Sequence, residues 1–264
     1  MPKVDNVGYG EVTPLKLECL KKIFAMHLVV TRSVLRRHSF YKRRYRYMDL
    51  TAGKGWNPNG LYGSPLLFIE AIKSSDFDIP YRADFIECEK ENLNELQHAM
   101  HSESQKNGWR LGDIHYHSGC YEDIICSLLK TKNAQELGLV FVDPSGELPT
   151  VETLKFVARQ RPGMEILIYI SSTNVKRLFP YENKLLSDLI QEIGKDHWLI
   201  RKPIPWDQHK WTFLLGSRFP FKTYKKIDFF RLESEEAQSF FPELNLTIEQ
   251  RRTLVQPSLF KDQV

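Results

Sequence analysis

The chain has 264 residues, of which 42% are hydrophobic and 27% charged, as in a globular protein that can bury a sizeable core. No apolar run approaches the roughly 18 residues that span a bilayer, and residues 1–5 lack the apolar stretch of a signal peptide, so we expect a cytoplasmic protein without a membrane partner. The net charge of +4 is uneven, because residues 1–48 carry eleven Lys and Arg against three Asp and Glu.

The four cysteines are widely spaced and few for this length. They form no Cys-x-x-Cys pair, so the sequence predicts neither a zinc site nor a disulfide framework. A reducing compartment agrees with this usage, because disulfides are rare in the cytosol. The cysteines are Cys19, Cys88, Cys120 and Cys126.

Helical periodicity comes first along the chain, with apolar residues recurring at spacings of three and four over residues 14–35. Strand-like and helical segments then alternate, which predicts a parallel sheet covered by helices on both faces. The predicted strands are Tyr45–Leu50, Ala83–Glu87, Asp113–His117, Gly138–Asp143 and Glu165–Ser171. The predicted helices between them are Pro65–Lys73, Glu91–Ser102, Tyr121–Thr131 and Thr150–Arg159.

The last third of the chain breaks this alternation. After a predicted helix at Glu182–Ile193, two strands are predicted at His197–Lys202 and Trp211–Gly216. The loop between them is too short for a crossover helix, so these strands must be antiparallel. We therefore expect an α/β, Rossmann-like fold with a mainly parallel seven-stranded sheet, a C-terminal antiparallel hairpin and helices on both faces. This plan is typical of class I methyltransferases that use S-adenosylmethionine (SAM).

Three regions are expected along the chain. A basic helical extension occupies residues 1–44, the main α/β domain residues 45–224, and a helical appendage residues 225–264. The appendage includes a predicted helix at Glu233–Phe241, and its end, Gln256–Val264, is expected to be loosely ordered.

A glycine-containing turn follows the first predicted strand, in the sequence Asp-Leu-Thr-Ala-Gly-Lys-Gly at residues 49–55. Glycine tolerates positive φ and has no Cβ, so such a turn allows a ligand to approach the backbone closely. An acid four positions before the turn is unusual for a phosphate site but suits a ligand with an ammonium group, such as SAM. We expect the methionine part of SAM to be surrounded by Asp49, Thr51, Gly53 and Gly55.

Candidate residues for the rest of the cofactor follow the next two strands. Glu87 ends the second strand, where a carboxylate can accept hydrogen bonds from both ribose hydroxyls, with Glu89 as a weaker candidate. Cys120 and Tyr121 follow the third strand, where the adenine would lie. Glu87 lies further along the chain than the roughly 20 residues of a dinucleotide fingerprint, which argues against NAD. A helix cap or a solvated loop carboxylate is the alternative interpretation of each acid.

The sequence Asp-Pro-Ser-Gly at residues 143–146 ends the fourth strand. In enzymes that methylate amino groups, an acid followed by proline accepts hydrogen bonds from the target nitrogen and aligns it for attack. We therefore assign Asp143, Pro144 and Ser145 to catalysis, with Asp143 also near the cofactor. An ordinary type I turn would explain the same four residues. The aromatic residue that can stack on a flipped base is missing from this sequence.

Two loops are candidates for substrate contact. Residues 56–63 are long for a βα connection and contain Trp56 and Tyr62, which could stack on a substrate. The hairpin loop contains Trp206 and His209 and should return to the same sheet edge. A packed loop and a solvent-facing histidine are the alternatives.

The basic excess of the N-terminal region peaks just before the first strand. Arg43 and Arg44 lie between tyrosines, a pattern that nucleic-acid surfaces use for phosphate neutralisation and base stacking. A solvated loop is the alternative. Because open α/β sheets bind ligands at the opposite strand ends, this segment would flank the site only if the preceding helix folds over the sheet edge.

These motifs together resemble the three-Cys-motif partner (TcmP) family of methyltransferase-like proteins, over roughly residues 14–175. The resemblance rests on residues 15–18, 47–55, 63–66, 85–87, 89–92 and 141–146. Thr51 and Lys54 depart from the family's Asp-Leu-Phe-Ala-Gly-Pro-Gly. The resemblance implies a SAM-dependent methyltransferase fold with an unsettled substrate, and a Cys-motif protein as partner.

The leading hypothesis from the sequence is a SAM-dependent methyltransferase acting on a nitrogen of nucleic acid. Two alternatives remain open at this point. One is methylation of a small molecule or a protein, which predicts no salt-dependent binding to nucleic acid. The other is a non-catalytic methyltransferase-fold module that binds a partner, which Lys54 and the shortened sequence after Asp143 would favour.

Overall fold

The structure is a computed structural model that describes residues 13–144, 147–171, 186–206, 209–220 and 223–240. The strands are β1 (Tyr45–Asp49), β2 (Tyr81–Glu87), β3 (Asp113–Ser118), β4 (Leu137–Val142), β5 (Met164–Ser171), β6 (His197–Arg201), β7 (Ile204–Trp206), β8 (His209–Ser217) and β9 (Phe229–Arg231). The α-helices are α1 (Thr13–Arg37), α2 (Ser64–Ser74), α3 (Lys90–Lys106), α4 (Tyr121–Leu128), α5 (Val151–Gln160), α6 (Leu186–Ile193) and α7 (Glu235–Phe240). A 3-10 helix spans Tyr224–Ile227.

The strands form one sheet in the order β3-β2-β1-β4-β5-β8-β6-β9, with β7 paired to β8. Strands β1 to β5 pair in parallel. Strand β8 is antiparallel to both β5 and β6. The predicted parallel sheet with a C-terminal antiparallel hairpin is thus confirmed, and β7 and β9 are additions to its seven strands. This strand order is the class I methyltransferase fold.

Strand β1 lies at the centre of the parallel part and is buried along its length. It pairs with β2 on one side and β4 on the other, and Asp49 is in register with Phe85 and Phe141. At Gly138 of β4 the strand lies so close to β1 that a Cβ atom would be 1.8 Å from the carbonyl oxygen of Arg46. The carboxyl ends of β1, β2 and β4 therefore meet at one edge of the sheet.

Helices α1, α2 and α3 cover one face of the sheet and α4, α5 and α6 the other. On the first face Phe24 of α1 packs edge-on to Tyr47, which stacks on Phe68 of α2 with ring centroids 4.0 Å apart. Because Phe24 and its neighbours belong to the main core, α1 is an integral layer of the α/β fold. It differs in this from the separate extension expected over residues 1–44.

The segment after residue 224 also joins the main fold. Strand β9 pairs antiparallel with β6, so that Leu199 faces Arg231, and Phe229 is buried in the core. This segment was expected to be a helical appendage, and short apolar stretches such as β9 carry too little periodicity to reveal a strand. The predicted helix at Glu233–Phe241 is observed as Glu235–Phe240. The expected loose end at Gln256–Val264 lies outside the described residues.

Within the described residues, none of the helices combines the length and the apolar composition needed to cross a membrane.

Candidate functional site

Asp49 ends β1 beneath the glycine turn and is fully buried. Its carboxylate accepts hydrogen bonds from the Tyr47 hydroxyl at 3.0 Å and the Thr51 backbone amide at 3.2 Å. Burial raises the pKa of Asp49 to about 7, against the opposing effects of hydrogen bonds from Ser64, Thr51 and Tyr47. Asp49 therefore supports the turn from below, and its carboxylate is turned toward the protein.

The glycine turn is fastened to the end of β2 by Glu87. One carboxylate oxygen of Glu87 accepts a hydrogen bond from the Gly53 amide at 2.8 Å, and the other accepts one from the Glu89 amide at 3.0 Å. Asn92 donates a third, at 3.3 Å. Gly53 and Gly55 have φ values of 64° and 85°, in the region that favours glycine. The structure thus brings together the predicted methionine and ribose residues.

The third part of the edge is the end of β4. The Asp143 backbone amide donates to the Thr51 hydroxyl oxygen at 2.9 Å, so the glycine turn and the predicted catalytic segment share a hydrogen bond. Asp143 and Pro144 are both partly exposed at this edge. Ser145, the third predicted catalytic residue, lies outside the described residues. Thr51, which departs from the TcmP sequence, therefore has a structural role here.

Two residues that the sequence reasoning missed lie near the Asp143 side chain. Lys16 of α1 places its Nζ 2.7 Å from Asp143 Oδ2 and 4.6 Å from the ring centroid of Tyr169. Burial, and then the nearby Asp143 carboxylate, raise the pKa of Tyr169. Tyr169 is the single aromatic residue in the apolar run of β5, which is a weak signal. Nothing in the sequence indicates that the start of α1 reaches β4.

Lys54, the cation within the glycine turn, points away from the turn. Its Nζ lies 3.3 Å from Glu95 Oε1 on α3, in an exposed ion pair. The positive charge of Lys54 is therefore offset by a carboxylate outside the site. This contact offsets a positive charge that would otherwise oppose a cationic ligand at the turn.

The loop of residues 56–62 packs on α3. The amide of Gly63 donates to the Gly55 carbonyl oxygen at 2.7 Å, which closes the loop at its base. The rings of Trp56 and Tyr62 lie 4.7 Å apart, and the Tyr62 hydroxyl donates to Glu103. Both aromatic rings thus have partners within the fold, as the packed-loop alternative requires. Their predicted stacking on a substrate remains a prediction.

The predicted adenine residues lie at the start of α4, and one of them forms a disulfide. Cys120 is bonded to Cys88, which directly follows Glu87, with Cα atoms 4.5 Å apart. The sequence predicted no such bond, because the partners are 32 residues apart and meet only when β2 and β3 pair. The Tyr121 hydroxyl lies 3.2 Å from the hydroxyl of Thr150, at the start of α5.

The hairpin of β7 and β8 extends beyond the carboxyl edge of the sheet. Trp211 is in register with Ser171 at the end of β5, and β8 begins two residues earlier, at His209. Trp206 pairs with His209 through the backbone. The hairpin therefore returns to the predicted edge, while the contacts of these two side chains are outside the described structure.

Arg43 and Arg44 lie at the opposite edge of the sheet. Both arginines directly precede β1. Asp49 ends this strand, about 16 Å from Arg44. Arg44 is paired with Asp113 at the start of β3. The structure thus separates both arginines from the carboxyl edge, because α1 runs across the face of the sheet and returns the chain to the amino edge.

The amino edge is fixed by a buried charge network. Arg46 contacts Asp84 and Glu136, both at 3.0 Å, and Glu136 also accepts a hydrogen bond from Arg161 at 2.6 Å. Burial alone would raise the pKa of Asp84, but hydrogen bonds from His117 and Arg82 hold it well below its usual value. This network stabilises the strand ends opposite the candidate site. Groups of three or more His, Cys, Asp and Glu suited to a metal ion are not found in the described residues.

Comparison with known proteins finds similar solved structures at low sequence identity. Neither a protein-family model nor a curated protein matches the sequence. A solved arsenic(III) SAM methyltransferase from Chlamydomonas reinhardtii is similar, with 11% identity, a TM-score of 0.44 and coverage of 68% of this chain and 64% of that one. A SAM-dependent methyltransferase from Agrobacterium tumefaciens is 9% identical over 81% of this chain and 64% of that one, with a TM-score of 0.45.

A third solved structure, the C-terminal domain of precorrin-6Y C5,15-methyltransferase from Rhodobacter capsulatus, is 14% identical. The match covers 82% of this chain and 95% of that domain, with a TM-score of 0.41. The chain spans less than two thirds of the length of the Chlamydomonas and Agrobacterium proteins. The activity of this chain is therefore argued from its site and not from these similarities.

Proposed function

We propose that this chain is a SAM-dependent methyltransferase that transfers a methyl group to a nitrogen of nucleic acid. The observation that carries the proposal is the linkage of three strand ends at one sheet edge. Glu87 holds the Gly53 amide at 2.8 Å, and Thr51 holds the Asp143 amide at 2.9 Å. An acid that binds ribose, a glycine turn and an acid that orients an acceptor are thereby fixed relative to one another.

The residues present suit SAM by charge and by shape. Two carboxylates, Asp49 and Glu87, lie around the glycine turn, where a ligand with ammonium and sulfonium groups would be stabilised, while Asp143 is paired with Lys16. Lys54 contacts Glu95 outside the site. In this proposal the Glu87 carboxylate, which already accepts hydrogen bonds from two backbone amides and from Asn92, uses its fourth lone pair to accept one from a ribose hydroxyl.

The catalytic contribution of the chain is mainly positional. SAM supplies an activated methyl group, which leaves its sulfur for the lone pair of an acceptor nitrogen. Asp143 would accept a hydrogen bond from that nitrogen and hold it in line, and Pro144 stiffens the backbone that follows. The proton that the nitrogen loses passes to the Asp143 carboxylate or to water. The hairpin beyond the sheet edge would help to exclude water.

Nucleic acid is proposed as the acceptor because of the basic N-terminal region. Arg43 is exposed and lies beside tyrosines in the sequence. The position of this region at the opposite sheet edge limits it to phosphate contacts far from the methyl group. The pairing of Arg36 with Asp78 and of Arg44 with Asp113 favours the second candidate, a small-molecule or protein acceptor.

A partner protein is proposed on the family resemblance alone. The TcmP family implies a Cys-motif protein as partner, and a non-catalytic role as a partner-binding module would follow if the chain failed to bind SAM. Co-purification with a Cys-motif protein would test the partner proposal directly.

Calorimetric titration with SAM is the first test, followed by transfer of a tritiated methyl group to DNA, RNA and cell extract. We expect binding below millimolar concentration and labelling of nucleic acid. Lack of binding at millimolar SAM would overturn the enzyme proposal. The variant Arg43→Glu/Arg44→Glu should weaken nucleic-acid binding and reduce its salt dependence. If both stay unchanged, the basic segment is only a solvated loop. If only small molecules or proteins are labelled, the second candidate is correct.

A further inference from the structure

The Lys16 ammonium group has two partners of the kind that bind amines. It lies 2.7 Å from the Asp143 carboxylate and 4.6 Å from the centre of the Tyr169 ring. The side chains of Lys16 and Asp143 are only 16% and 18% exposed, so the pair is largely shielded from water. A carboxylate next to an aromatic face is a general arrangement for holding a cationic nitrogen.

The Asp143 backbone and the Tyr169 ring are fixed by contacts within the fold, whereas Lys16 is attached through a long side chain. The Asp143 amide donates to Thr51. The Tyr169 ring packs against Trp211 and Phe213 of β8, with centroids 5.9 and 5.7 Å apart. Lys16 reaches the same place on a flexible four-carbon side chain from the first turns of α1. Its ammonium group can therefore leave without displacing either partner.

We propose that Asp143 and Tyr169 form the binding subsite for the amino group of the methyl acceptor, and that Lys16 fills this subsite until the acceptor enters. This inference rests on the proposed function and names its acceptor chemistry. The amino group donates its N–H to Asp143, while the acceptor lies against the Tyr169 ring. That ring, from β5, supplies the aromatic surface that the sequence after Asp143 lacks.

The test uses two analogues of the cofactor, because the acceptor itself is unidentified. S-adenosylhomocysteine lacks the methyl group. Sinefungin carries an amino group on the carbon that replaces the sulfonium, and so presents an amine where the acceptor nitrogen would approach. The measured quantity is the ratio of the two dissociation constants, obtained by calorimetry on the full chain.

In Lys16→Met we expect the affinity for sinefungin, relative to that for S-adenosylhomocysteine, to rise about tenfold or more over the wild type. The sinefungin amine would no longer compete with the Lys16 ammonium for the Asp143 carboxylate. Lys16→Arg, which keeps the cation, should behave as the wild type. Adding Asp143→Asn to Lys16→Met should remove the gain. Adding Tyr169→Leu should reduce the gain, and Tyr169→Phe should keep it.

Three results would overturn the inference, and they can be told apart. If S-adenosylhomocysteine binds but neither dissociation constant changes in Lys16→Met, the subsite is misassigned while the proposed function stands. If both ligands gain equally, Lys16 acts through general stability. If the wild type binds neither ligand, the proposed function fails and the subsite with it. Lys16→Gln repeats the measurement if the methionine variant does not fold, which a thermal melt would reveal.

Discussion

The Glu87 carboxylate is hydrogen-bonded to the backbone amide of Gly53, 34 residues earlier in the chain, at 2.8 Å. This contact joins the ends of two neighbouring parallel strands. It fixes the glycine turn and orients the carboxylate at the same time. A single side chain thus organises two of the regions that the proposed cofactor would contact.

Replacement of Glu87 by Gln should weaken SAM binding about 10- to 100-fold, as expected for the loss of a charged hydrogen-bond acceptor. The amide nitrogen of Gln would also face a backbone N–H group. Glu89→Gln is the matched control, because Glu89 is exposed and two residues away, and it should bind SAM as the wild type does. Calorimetry measures the dissociation constant of SAM for both variants. Equal loss in the two would contradict the role given to Glu87.

Binding of S-adenosylhomocysteine should tighten about tenfold between pH 6 and pH 8, because Asp49, with a pKa of about 7, becomes ionised over this range. The charged form favours the ligand's ammonium group. Asp49→Asn should bind with little dependence on pH. A pH series by calorimetry tests this, and the same slope in both proteins would show that another group is responsible.

Asp49 should also make the fold less stable as the pH rises. Its pKa is raised from 3.8 to about 7, so between these values the folded protein holds a proton that the unfolded chain has lost. The stability contributed is full below the unfolded value and is lost as the pH rises through 7. Asp49→Asn should lose less free energy of unfolding than the wild type between pH 5 and pH 8 in denaturant titrations.

Thr51→Val should lower the free energy of unfolding by about 1–3 kcal/mol, because the Asp143 amide would lose its acceptor. Thr51→Ser keeps the hydroxyl and should cost less. Urea titration measures both variants. If valine and serine were equally harmful, the β-methyl group would matter more than the hydrogen bond.

Two glycines of the same turn allow a matched comparison. A Cβ atom on Gly55 would lie 2.9 Å from Leu96 Cδ1 and 3.1 Å from Ala99 Cβ, whereas one on Gly53 has no heavy atom within 4 Å. Both residues have positive φ, so both alanine variants bear a backbone cost of about 1–2 kcal/mol. Gly55→Ala should therefore unfold at a lower temperature than Gly53→Ala. The reverse order would mean that α3 does not pack against the turn as described.

The Cys88–Cys120 disulfide should stabilise the fold by about 3–4 kcal/mol, the entropy expected for closing a loop of 32 residues. Reduction should therefore lower the unfolding temperature, and Cys88→Ser/Cys120→Ser should be insensitive to reductant. In the oxidised protein only Cys126 is a free and exposed thiol among the described cysteines, because Cys19 is buried. Labelling of two more thiols without reductant would show that the bond is absent.

The sequence predicts the sheet well because its signals are local. Apolar runs, short connections and the ends of strands at Asp49, Glu87 and Asp143 are enough to place three acids at one edge. The contact of Lys16 with Asp143 spans 127 residues, and no periodicity encodes it. This contact depends on the position of the start of α1 over the sheet, and that position is determined by the packing of the helix. The disulfide was missed for the same reason.

The burial of Asp49 also could not be predicted from the sequence. An acid at the end of a strand can point to ligand or to protein, and here Tyr47 and Thr51 hold it inward. For the basic segment before β1, the density of positive charge in the sequence suggested a binding surface. Arg44 instead pairs with Asp113 of β3, and Arg46 pairs with Asp84 of β2 and with Glu136, just before β4. The number of basic residues in this segment therefore overstated its exposed charge.

The central position of β1 has a consequence for biosynthesis. Tyr45 of β1 and its partner Leu137 of β4 are far apart in the chain, so the ribosome needs roughly 5–20 s to deliver the second strand after the first. During that interval β1 can pair with β2, but its other edge stays open to any passing strand. The nascent chain is therefore expected to depend on chaperones most between the synthesis of α3 and that of β4.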